Sequence, residues 1–256
     1  MSSQGPTLQL SEALTSNKQW AKHTSSRNPS FFPSLSTSQH PRILWLGCSD
    51  SRCPETTLLG LQPGDVFTHR NIANIISEHD GSVSAVIEYA IAHLKIKTVF
   101  VCGHSNCGGV GAVLRNSRLG ESKNSDGLSS GALTPWLAPL RSLAREYRSL
   151  LKSLDAESAA LTLVELNVLA GVRNVLTRKV VRDAVRDRGL RVHGLVYDVG
   201  CGRLREVDGS ALVNGSGKEG GESRSRRSVE GGNVERRVGR LVGGVSTGGR
   251  RESLFA

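Results

Sequence analysis

Apolar positions are spread unevenly along the chain. Residues 42–115 and 160–200 are rich in Val, Ile and Leu, whereas the first forty and last fifty residues are dominated by Ser, Gly, Arg and Thr. The first strong signal is Arg42-Ile43-Leu44-Trp45-Leu46-Gly47, a short continuous apolar run that suits a strand buried on both faces. Thr98-Val99-Phe100-Val101-Cys102 is a second run of the same kind, and Asp65-Val66-Phe67-Thr68, after the Pro63-Gly64 turn, reads as a shorter one. Between them Val83, Val86, Ile87, Ala90, Ile91 and Leu94 recur at the spacing of a helix with one face inward, which predicts a helix over 81–94.

The remaining elements follow from weaker signals. A helix is expected over 8–22, with Ser16 or Asn17 as a cap and Trp20 as an anchor, followed by an irregular stretch at Pro29, Phe31, Phe32 and Pro33. Gly108-Gly109 open a helix, 120–131 is a polar loop, and Pro135 sits in the first turn of a helix reaching 151. A longer helical pattern over 161–188 is closed by Gly189, and 191–199 reads as a last strand. Strands joined by crossover helices predict an α/β fold with a mostly parallel central sheet flanked by helices. The expected organisation is an N-terminal helical arm (1–40), an α/β domain (41–208) and a disordered Gly/Arg/Ser-rich tail (209–256).

Composition modifies this outline in two places. The 256 residues carry a net charge of +10, but much of the excess is local: Arg224, Arg226, Arg227, Arg236, Arg237, Arg240, Arg250 and Arg251 all fall in the tail. Basicity therefore describes a solubilising extension more than a folded binding face, and nucleic acid is not expected as a partner. The five cysteines do not suggest a disulfide framework. No apolar run suits a membrane span and no signal region is recognised, so a reducing, cytoplasmic setting is expected.

The chemistry is concentrated at the ends of the two buried runs. Cys48 follows the first, His104 follows the second, and Cys107 comes three residues later. Two thiolates and an imidazole select zinc and leave one tetrahedral position open, as in a catalytic rather than a structural site. Asp50, two residues past Cys48, can accept a hydrogen bond from a water there, and Arg52 can clamp Asp50 in a bidentate pair that keeps it ionised. Asp50 also has a second option, which is to leave Arg52 and become the fourth ligand itself.

Taken together, Cys48-Ser49-Asp50-Ser51-Arg52, Arg70-Asn71-Ile72-Ala73-Asn74 and Gly103-His104-Ser105-Asn106-Cys107-Gly108-Gly109 closely resemble the β-class carbonic anhydrases, over roughly residues 17–207. The resemblance implies one Zn²⁺ per chain on Cys48, His104 and Cys107, and reversible hydration of CO₂ to bicarbonate and a proton by zinc-bound hydroxide oriented by Asp50 and Arg52. It implies substrate-pocket roles for Gln39, Phe67, Ile72, Tyr89 and Gly108. It also implies a homodimer or homotetramer in which the N-terminal helix lies across a neighbour. One subgroup has a second bicarbonate pocket that favours the closed, Asp-ligated zinc, and Trp45, Arg70 and Tyr197 match it. Packing of Trp45 inside a buried strand is the competing expectation.

Other readings stay open at this point. A relative acting on CS₂ or COS would use the same site, and a zinc-dependent interaction module with a basic tail is a different class altogether, against which Asp50 and Arg52 argue. Cys102 is expected in the strand core, while Cys53 and Cys201 carry no assigned role. His69, His79, His93 and His193 are read as surface or helix-face residues rather than proton shuttles.

Overall fold

The computed structural model describes residues 9–118 and 131–207. The expected tail and most of the 120–131 loop lie outside the described residues. The chain separates into two compact units, with the boundary between Pro41 and Arg42.

The first unit contains helices α1 (Leu10–Arg27) and α2 (Phe31–Thr37). The cap of α1 is Gln9, whose backbone N–H donates to the Glu12 carboxylate at 2.8 Å, so Ser16 and Asn17 are interior positions rather than caps. The stretch expected to be irregular is helical because Pro33 falls in the first turn of α2, where its missing N–H costs nothing. Trp20 of α1 meets Phe32 edge-on, with ring centroids 5.5 Å apart.

The second unit holds a five-stranded sheet. Strands β1 (Ile43–Cys48), β2 (Val66–Asn71), β3 (Thr98–His104), β4 (Arg191–Asp198) and β5 (Arg203–Glu206) lie in the order β2-β1-β3-β4-β5. The first three pairings are parallel, and β5, which no pattern announced, adds an antiparallel edge. Helices α3 (Glu55–Leu59), α4 (Gly81–Glu88) and α5 (Gly108–Arg118) come next, and α4 continues into a wider π turn at Tyr89–His93. The helix expected to run from Pro135 to 151 is three pieces, α6 (Leu133–Trp136), α7 (Ala138–Glu146) and α8 (Arg148–Lys152). Pro139, at the start of α7, has no N–H to continue the ladder from α6.

The long C-terminal pattern likewise divides, at Arg178, into α9 (Ala156–Leu176) and α10 (Lys179–Arg188), closed by Gly189 at φ 68° as its position predicted. Helix α9 is long and apolar, but 61% of its most apolar stretch is buried, as befits a core helix. It lies close on the sheet where β3 and β4 carry glycines. A Cβ at Gly103 would stand 2.7 Å from Val164 Cγ1 and 2.9 Å from Val168 Cγ2, and one at Gly194 would stand 2.8 Å from Val168 Cγ1. Gly103→Ala is therefore expected to cost about 1–3 kcal/mol of stability by overpacking. A lowered denaturant midpoint at unchanged slope would show it, and an unchanged midpoint would mean that α9 yields freely.

Candidate metal centre

Strand order places the site. The chain leaves β1 outward to β2, and β3 and β4 extend the other way, so the β1/β3 boundary is where the order reverses and where open α/β sheets bind ligands beyond their carboxyl ends. Gly47 pairs with Cys102, so the two strands end within one residue of each other, in Cys48 and His104. Cys107 returns to the same point through Asn106, whose φ of 56° is a left-handed turn that Asn tolerates better than most side chains. The Cys48 and Cys107 sulfurs and a ring nitrogen of His104 lie within 4.8 Å of one another, and all three residues are buried.

The donor set fits a thiophilic dication. His104 is 1% exposed, and its Nδ1 lies 2.8 Å from the Ser105 carbonyl, which can only accept. Nδ1 therefore carries the proton, and Nε2 is left as a buried lone pair with no hydrogen bond. The neighbouring Cys107 thiol holds Cys48 well below the usual thiol range against the opposing effect of burial, with His104 adding to the lowering. Cys107 is pushed up in turn by the Cys48 sulfur and by burial. For His104, burial pulls downward, but the Cys48 sulfur, the Ser105 carbonyl and Asp50 outweigh it and raise the ring. Two thiols this close resist a second negative charge, which a zinc ion between them would compensate.

Asp50 faces this cluster, with Oδ2 3.8 Å from His104 Nε2. Arg52 grips it three times: Nε donates to Oδ1 at 2.9 Å, Nη2 to Oδ2 at 2.7 Å, and the backbone N–H to Oδ1 at 3.0 Å. These hydrogen bonds hold the carboxyl far below the ordinary carboxylate range. The same Nη2 donates to the Asn106 carbonyl at 3.2 Å and so ties the pair to the Cys107 loop.

Arg70 secures the other side, donating Nε to the Cys48 carbonyl at 2.7 Å and Nη2 to the Asp50 carbonyl. Glu55 stands 3.9 Å from Arg70 Nη1 and accepts from Thr68 Oγ1 at 3.1 Å. Asn106 stood in the Gly103–Gly109 motif without a role, and Glu55 was not marked by the sequence at all. The first acts through a backbone carbonyl, which any residue type supplies, and the second has no periodic relation to its partners.

The remaining site residues fall into three groups. Phe67 and Tyr89 stack, with centroids 5.7 Å apart and planes at 28°. Ile72 is 44% exposed and stands against the first turn of α5, where its Cγ2 would be 3.5 Å from a Cβ on Gly109, beside the exposed Gly108. The Ile72 carbonyl accepts from Trp136 Nε1 at 2.9 Å, a contact sequence reasoning missed. Trp45 and Tyr197 share a second buried cluster with Cys53 and Cys102, and Arg70 reaches the Cys48 and Asp50 carbonyls. Burial pushes the Cys53 thiol up to about 11, and Cys102 higher still. Gln39 lies in the first unit, outside the unit that carries the cluster.

Among the histidines, His93 lies against the Tyr89 ring, with centroids 5.2 Å apart, and His193 Nδ1 is 2.7 Å from the Glu206 carboxylate. His69 is pulled down by burial, and His79 is exposed.

A family model described as carbonic anhydrase matches residues 43–204. The β-carbonic anhydrase structure from Aspergillus fumigatus is 52% identical, with a TM-score of 0.71, covering 77% of this chain and 90% of that one. The chain belongs to the β-carbonic anhydrase family. Another similar chain comes from the crystal structures of two tetrameric β-carbonic anhydrases of Sordaria macrospora, matched at 48% identity and a TM-score of 0.70 over 76% of this chain and 94% of that one. The carbonic anhydrase of Emericella nidulans is 38% identical over 195 residues, 75% of this chain and 81% of the relative. As a carbonic anhydrase the chain is an enzyme, a lyase.

Proposed function

We propose that this enzyme reversibly hydrates CO₂ to bicarbonate and a proton, with Cys48, His104 and Cys107 holding one Zn²⁺ and Asp50, steadied by Arg52, orienting the reacting water. One observation carries the reading: a buried His104 Nε2 without a hydrogen bond stands among two thiols at the strand-order switch, with an ionised carboxylate 3.8 Å away. Zinc, when bound, supplies the Lewis acidity that makes water a nucleophile near neutral pH. The chain supplies the rest. Asp50 has only acceptor oxygens, so the group it orients must donate, and Arg52 fixes the plane in which it does so. Phe67, Tyr89 and Ile72 offer apolar surface to an uncharged substrate, and Gly108 lets it approach the backbone.

The test is stopped-flow CO₂ hydration between about pH 7 and 9 on protein of measured zinc content. Zinc-replete protein without hydration activity in that range would overturn the reading.

Assembly and location belong to the same proposal. The Sordaria relatives are tetrameric, and Trp20 of α1 is 47% exposed, which supports a homo-oligomer clasped by the N-terminal helix. A reducing, cytoplasmic setting suits Cys48 and Cys107, which stand as free thiols.

The depressed Asp50 sets a pH expectation. Its folded value lies below the roughly 3.9 of an unfolded Asp, so its stabilising contribution is fully present above that value and is lost as pH falls through the folded one. Unfolding midpoints of wild type and Asp50→Asn should therefore differ by a constant amount from neutrality down to about pH 5 and converge only in stronger acid. Protonation of Asp50 cannot then explain any slowing just below neutrality. Such slowing, deepened by added bicarbonate, would mark Asp50 exchanging Arg52 for the metal, with Trp45, Arg70 and Tyr197 as the responding pocket. A pH–rate profile that is flat into acid and insensitive to bicarbonate would remove the closed state.

A further inference from the structure

Helix α4 does not simply run on to its end. Leu94 N–H donates to the Tyr89 carbonyl five residues back, at 3.1 Å, and Ile96 N–H donates to the Ala90 carbonyl, also at 3.1 Å. Such widened turns are rare and occur mostly as single turns within α-helices, frequently at functional sites. Lys95, just after it, has a φ of 57°, in the left-handed region that a residue with a side chain enters at a cost.

No helical turn follows to receive the last carbonyls, and one side chain does so instead. Arg188 Nη1 donates to the Lys95 and Ile96 carbonyls at 2.8 and 2.7 Å, and Nη2 donates to the Ile91 carbonyl at 2.7 Å. Arg188 is the last residue of α10, where the chain turns at Gly189 toward β4. Ala90, Ile91 and Ile96 are buried, so the tied segment is anchored in the core on one side while Tyr89, at its first position, is 46% exposed and stacks on Phe67.

We propose that Arg188 is a positioning residue for the substrate pocket, holding the π turn open so that Tyr89 stays stacked on Phe67. The proposal rests on the reading above that Tyr89 and Phe67 line that pocket. It assigns a role to a residue 99 positions away in sequence that touches neither the zinc ligands nor Asp50. The planar fork matters, because three carbonyls in two directions match a guanidinium and not a single ammonium.

The test is a double-substitution cycle on the zinc-loaded enzyme, with amide hydrogen exchange as a second readout. Arg188→Ala is expected to lower kcat/KM for CO₂ hydration about ten-fold at unchanged zinc content, and to change it less than about two-fold in a Tyr89→Ala background. Amide exchange in residues 89–96 is expected to accelerate, with exchange in β1 and β3 unchanged. Arg188→Lys, which keeps the charge, should fall between wild type and Arg188→Ala, and it carries the same cycle if Arg188→Ala does not fold.

An equal loss in the two backgrounds, or unchanged exchange in residues 89–96, would overturn the proposal. Absence of hydration by the wild type would instead sink the catalytic reading, and the exchange result would still decide whether Arg188 holds the turn.

Discussion

Cys48→Ala is expected to abolish CO₂ hydration, with kcat/KM falling at least about a thousand-fold, which corresponds to roughly 4 kcal/mol of barrier. Zinc content should fall with it. Cys48 is the last residue of a buried strand, within 4.8 Å of the other two ligand atoms, and no other thiol belongs to the cluster among the described residues. The neighbours could not compensate: Cys53 belongs to a different buried cluster, and its thiol is pushed up to about 11 by burial and by Asp50. The fold should survive, because the Arg70 bond to this position goes to the backbone carbonyl, which alanine keeps. Zinc analysis and stopped-flow kinetics on folded variant check it. A Cys48→Ala protein that retained both zinc and activity would show that the three residues do not form the site.

Asp50→Asn should separate binding from catalysis. The amide is nearly the shape of the carboxylate, but it has one acceptor oxygen where two are used, and it turns a donor toward Arg52, which has only donors. Zinc should stay bound, since Asp50 is not one of the three clustered donors. Hydration should fall on the order of a hundred- to a thousand-fold, the usual contribution of a group that aligns or transfers a proton. The loss should appear in kcat rather than in zinc content. A variant within about two-fold of wild type would mean that the Asp50–Arg52 pair is structural and that the reacting water is oriented by something else.

Much of this site is legible in the sequence, for an identifiable reason. Continuous apolar runs end abruptly in Cys48 and in Gly103-His104, and a strand buried on both faces has only its end free for chemistry. The bidentate pair was equally readable, because Asp50 and Arg52 are two residues apart and reach each other without any knowledge of the fold. What escaped were partners that depend on the fold itself. Asn106 contributes a carbonyl and Trp136 reaches Ile72 from α6, while Arg188 finds its three carbonyls more than ninety residues away. Strand β5 is four residues with two charges of one sign and one of the other, too short and too polar to be distinguished from a loop. The breaks at Pro139 and Arg178 were hidden because apolar spacing continued across them.

The order in which β1 and β3 reach each other has a consequence for biosynthesis. They are neighbours in the sheet, but β2, α3 and α4 are made between them. A nascent chain that has not yet emitted residues 98–107 therefore offers a metal only one of the three cluster ligands, Cys48. The cluster comes into being only when two distant segments pair, a slow kind of contact to form. Zinc loading should accordingly follow the closing of the sheet rather than guide it, and cells short of zinc should accumulate a folded apoprotein that can be activated later without passing through the unfolded chain.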